Sequence, residues 1–137
     1  MSNDSWRLAG VLLVVVPTIE FGGYSLLRYI MKRDPGYMEN PTRRALFTAG
    51  HAHAGVLVLL TLVGRLYVDH TDLSDRAKDL VRFTLPLAPI LMPLGFFLSI
   101  VSPKASKPNA LIGLVYLGAL SLAVGTVTLG VGLLRAS

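Results

Sequence analysis

Four long apolar runs, separated by short polar segments, set the pattern of this chain. They cover roughly 7–31, 45–66, 79–102 and 109–134. A helix needs about 20 mostly apolar residues to cross a bilayer. The pattern therefore predicts an all-α protein, an integral membrane four-helix bundle forming one transmembrane domain over 1–137. The connections "KRDPGYMENPTRR", "YVDHTDLSDRAKD" and "SPKASKPN" are rich in turn formers. Within them Asn40-Pro41 and Ser102-Pro103 read as turn or helix-start signals. Asp72 to Asp79 reads as an acidic lead-in to a helix N-terminus. The start, "MSNDSWRLAG", lacks the basic residues and small-residue cleavage site of a secretory signal, so the first run is expected to be kept as a helix. No strand pattern and no internal repeat is visible.

Composition agrees with lipid as the solvent. Hydrophobic residues make up 53% of the chain and charged residues 15%, against about a quarter charged in soluble domains. The formal charge of +5 comes from short basic clusters beside apolar runs, as at a membrane surface. A continuous basic face is missing, so no nucleic-acid partner is expected. Orientation does not follow from these clusters. One side would carry Arg7, Arg65, Arg76, Lys78, Arg82 and Arg135, the other Arg28, Lys32, Arg33, Arg43, Arg44, Lys104 and Lys107. Six against seven is no bias. The absence of cysteine excludes disulfides, thiolate chemistry, iron–sulfur clusters and covalent c-type haem.

The polar groups inside the runs need partners. His51 and His53 lie in "RALFTAGHAHAGVLVLLTLVG" among Ala49, Gly50, Ala52, Ala54 and Gly55. At about 100° per residue their rings point to nearly opposite faces, so they cannot easily share one ion. A hydrogen-bonded structural role, a metal or haem ligand, and proton handling are all open to each. Glu20, in "VVVPTIEFGGYSLL", sits near the middle of the first run beside Pro17, Gly22 and Gly23. A carboxyl there is a general acid, a partner for a histidine, or a packing contact to a neighbouring helix. Gly118, Ser121, Gly125, Thr128 and Gly132 form a stripe of small residues in the fourth run, suited to close helix contact within the bundle or between subunits. Other chemistries lack their parts. No phosphate loop follows a strand, Ser25, Ser99 and Ser121 have no nucleophile elbow, and acids are too few for a di-metal site.

"AHAG" at 52–55 resembles the "AHSG" of styrene oxide isomerases, small four-span bacterial membrane proteins. "TIEFGG" at 18–23 is similar to that family's "TLLFGV". "GFFLSIVSP" at 95–103 is similar to "GFYLFSNFSP", and "YLGAL" at 116–120 to "WLGML". The matches are collinear over most of the chain. The resemblance implies a homotrimer in the bacterial cell membrane with haem b between subunits. His53 would be its iron ligand, with Ala49, Gly50 and Gly55 packing against the porphyrin. It also implies an activity: ferric iron as a Lewis acid, converting a small apolar epoxide to an aldehyde or ketone by Meinwald rearrangement.

Departures from the family pattern are specific. Leu59 stands where the family has asparagine, and Phe97 replaces the phenol of "GFYL". Glu20 replaces a leucine, and His51 is additional. Glu20, His51, Tyr24 (four residues after Glu20) and Tyr116 are the candidate catalytic residues. Two alternatives to the isomerase are a haem protein for electron transfer or gas sensing, and a haem-free proton-coupled transporter using Glu20, His51 and His53.

Overall fold

The structure is a computed structural model and describes residues 3–136. It is all-helical among those residues. α1 spans Asn3–Met31, the short α2 Pro35–Met38, α3 Pro41–Val68, α4 Asp75–Leu98 and α5 Gly113–Ala136, the last preceded by a 3₁₀ turn at Ala110–Ile112. Four helices are long and apolar enough to cross a membrane. Large apolar side chains on α1 face outward, among them Val11, Leu13, Val14 and Phe21. Water would penalise that surface and lipid does not.

The helix ends follow local chemistry. Asn40 caps α3 by accepting the Arg43 N–H at 3.0 Å, and Pro41 occupies the first helical position. Ser74 caps α4 by accepting from Ala77 N, inside the expected acidic lead-in. α1 closes with Arg33 in the left-handed conformation at φ 50° and Asp34 N–H donating to Tyr29 O, the usual place of a glycine. The third run ends earlier than the expected 102. α4 stops at Leu98, because Ser99 and Ile100 turn inward and Ile100 is fully buried with Tyr37 and Phe47.

α3, α4 and α5 pack in sequence, while α1 lies against α3 and α2 and makes no comparable contact with α4 or α5. The bundle is thus open on one side. The small-residue stripe of α5 is spent inside the chain. A Cβ on Gly125 would come within 2.8 Å of Leu85 and Thr84, and one on Gly132 would meet Leu73. Ser121 Oγ donates to Thr84 O at 2.7 Å.

α4 contains Pro86, Pro89 and Pro93. Each proline removes the N–H that would serve the carbonyl four residues back. Pro86 frees Arg82 O, which accepts from Arg65 Nη2 of α3 at 3.0 Å. Pro89 frees Leu85 O, which lies 3.2 Å from the Thr61 hydroxyl, also of α3. That hydroxyl shares its single proton with Leu57 O at 2.8 Å.

Two loops interlock at the opposite end. Asn40 Nδ2 donates to Pro103 O and Ala105 O. Arg43 is buried and reaches Ile100 O, Gly36 O and Val101 O, with its guanidinium 4.3 Å from the Phe47 ring centre. Arg43 and Arg65, counted above as surface flanks, are both buried structural groups. Dropping one from each side leaves the charge comparison undecided.

Thr61→Val should destabilise the protein by about 1–3 kcal/mol, because a carbonyl already deprived of its backbone donor loses its replacement. Thr126→Val, whose hydroxyl backs onto its own helix at Leu122 O, should cost within about 0.5 kcal/mol. Thermal unfolding in detergent micelles measures both.

Candidate functional site

The face of α3 turned to α4 carries Leu57, Thr61 and Gly64. The two histidines fall at its two edges. His51 turns to α1. A Cβ on Gly23 would stand 3.0 Å from its Cε1 and Nε2, and one on Gly22 would be 3.6 Å from its Nδ1. The Gly22-Gly23 pair is what admits the imidazole. His53 turns to α4, where its ring centre is 5.0 Å from that of Phe96. Its Nδ1 lies 2.7 Å from Ala49 O. A carbonyl only accepts, so Nδ1 carries the hydrogen and donates it. Nε2 is then the nitrogen left for another partner, and in the neutral ring it holds the lone pair.

Two cavities flank His51 where α1 stands off from the other helices. The larger, about 440 Å³, is walled by Ile19, Glu20 and Gly23 of α1 and by His51, Gly55 and Leu59 of α3, among others. Its size suits a small molecule. The smaller, about 220 Å³, lies between Thr18 and Gly22 of α1, His51 and Ala54 of α3, and Pro89 and Phe97 of α4. Leu59 and Phe97, at positions where the resembled family is polar, therefore give these cavities apolar walls. Thr18 and Pro89 were not foreseen as lining residues. Their part depends on which helix faces meet, and no local pattern carries that.

Glu20 is three residues from the midpoint of α1, about 4.5 Å along the axis, in the middle of a helix long and apolar enough to cross a membrane. It is exposed on the chain and lines the larger cavity. No hydrogen bond or ion pair joins its carboxyl to His51. The cavity thus presents two separate polar groups to whatever enters it.

The other expected site residues are dispersed. Neither of the two cavities is lined by His53. Ala49 serves His53 through its carbonyl. Gly50 is filled from α4, since a Cβ there would meet Phe96 and Phe97 at 3.0 Å. Gly55 is open, with nothing within 4 Å of a Cβ, but lies on the α1 edge. Tyr24 lines a separate hollow near the end of α1. Tyr116 is 71% exposed on α5. Among the described residues no group of three or more histidines or carboxylates is placed to hold a metal ion, whereas axial ligation of a haem asks for only one imidazole.

Nitrogen-15 NMR of histidine-labelled protein should show His53 with a protonated Nδ1 and a bare Nε2; the reverse tautomer would contradict the Ala49 bond. No family model, curated protein or solved structure matches this chain.

Proposed function

We propose that this chain is a haem b protein of the bacterial cell membrane that isomerises a small apolar epoxide to an aldehyde or ketone, in the manner of the styrene oxide isomerases it resembles. The geometry of His53 carries the reading. Its Nδ1–H is held by Ala49 O at 2.7 Å, which fixes the ring and aims a free Nε2 away from its own backbone. Metal-binding histidines are commonly oriented by such a bond on the other nitrogen. The half-buried ring lies at the edge of α3 opposite the cavity edge, so ligand and cavity would meet only between chains, in the homotrimer that the resemblance implies.

When bound, ferric haem supplies a Lewis acid for an epoxide oxygen. The remaining work falls to the chain. His53 Nε2 ligates. The α1–α3 cavity takes the apolar body of the substrate from the bilayer and keeps water from the reacting carbon. Glu20, in its protonated form, is the hydrogen-bond donor that this cavity offers to a substrate oxygen, with His51 as the second polar group. Apolar Leu59 and Phe97 favour substrates with a single polar atom.

The shared placement of Glu20 and His51 in one laterally placed cavity also favours a second reading, proton-coupled transport without haem. That protein would be colourless and would show pH-dependent flux in liposomes.

Purified protein should show a Soret band that His53→Ala abolishes and His51→Ala retains; a colourless wild type would end the haem reading. Glu20→Leu should leave the Soret band intact and lower epoxide turnover by about 10²–10³-fold, the range for removing one donor aimed at a reacting oxygen. A haem-loaded protein inert toward epoxides would remove the isomerase reading alone.

A further inference from the structure

Tyr24 stands outside the cavities of the proposed site, in a hollow of about 310 Å³ along the last three turns of α1. Phe21, Ser25, Arg28, Tyr29, Lys32 and Asp34 form the rest of its wall. The Phe21 and Tyr24 rings lie 6.4 Å apart, tilted at 38°, and both are more than half exposed. Lys32 is the residue after α1, and its N–H donates to Arg28 O at 3.0 Å, one turn back. Both are exposed, and neither is in an ion pair among the described residues.

Depth gives this arrangement a meaning. Arg28 is eleven residues past the midpoint of α1, about 16 Å along the axis, at the edge of a hydrocarbon core roughly 30 Å thick. Tyr24 and Phe21 lie one and two turns deeper, at the depth of acyl chains. The two cations face one lining carboxylate, Asp34, so the hollow carries a net charge of one positive unit. A phosphodiester carries one negative unit. Arginine adds a planar fork matched to phosphate oxygens.

We propose that this hollow binds the phosphate of an anionic phospholipid, held by Arg28 and Lys32, with an acyl chain running down the Tyr24–Phe21 wall. A free anion would use the cations alone. A lipid uses the charged rim and the aromatic wall together, at the depths where its own parts lie. The proposal is independent of the haem reading, since no residue of the hollow lines either cavity.

The test uses the full chain in phosphatidylcholine vesicles, comparing protein-associated spin-labelled phosphatidylglycerol with spin-labelled phosphatidylcholine. The wild type should select phosphatidylglycerol. Arg28→Gln and Lys32→Gln should each lower that selectivity about fivefold, the equivalent of about 1 kcal/mol per cation. Arg44→Gln, which removes another exposed cation at the same end, should leave it unchanged. Circular dichroism checks that each variant is folded. Equal loss in Arg44→Gln would reveal diffuse surface attraction and overturn the site. Selectivity retained in Arg28→Gln with Lys32→Gln combined, or abolished in the wild type by millimolar inorganic phosphate, would overturn it as well.

Discussion

A proline inside a membrane helix leaves behind a carbonyl that lipid cannot satisfy. α4 has three such prolines, and two of the freed carbonyls are met from one neighbour: Arg82 O by Arg65, and Leu85 O by Thr61. This demand ties α3 to α4 more strictly than apolar packing would, because a small rotation of α3 would expose both oxygens. It also explains a guanidinium buried near the end of α3. Arg65 keeps two guanidinium nitrogens without partners, Nε and Nη1, so its burial is costly by itself, and the orphaned carbonyl is what it serves.

Once Thr61 is fixed toward α4, the histidines are placed. They lie ten and eight residues before it, and at about 100° per residue they fall roughly 80° to either side of it. His51 is thereby delivered to α1, and His53 to the opposite edge beside Phe96. The separation of the imidazole held by Ala49 O from the imidazole that lines a cavity follows from the α3–α4 lock.

α1 is attached differently. It is pinned near its start, where Ser5, Ala9 and Leu12 are buried, and near its end, where Leu26 and Tyr29 pack on the cluster of Tyr37, Phe47 and Ile100. Between these points the His51 ring enters the space left by Gly22 and Gly23, and nothing described comes within 4 Å of a Cβ at Gly55. Two hollows remain there, with Glu20 on the wall of the larger. The interlocked loops around Arg43 secure the lower attachment and so hold open a cavity that close packing along the whole helix would have removed.

Apolar runs of spanning length and the scarcity of charge were enough to read four helices able to cross a membrane, because each is long enough for a bilayer and carries few groups that hydrocarbon would penalise. Asn40-Pro41 announced the start of α3 because capping is a local matter. The unusual intramembrane groups, Glu20, His51 and His53, were legible as exceptions to the apolar pattern. Their grouping was not. Glu20 and His51 meet one cavity while His53, Tyr24 and Tyr116 lie apart, because side chains combine across helices according to which faces are turned together, and only the tertiary structure decides that. The same holds for Ile100. It belongs to an apolar run by composition, but is a buried plug between loops because Arg43 captures its carbonyl from a helix far away in sequence.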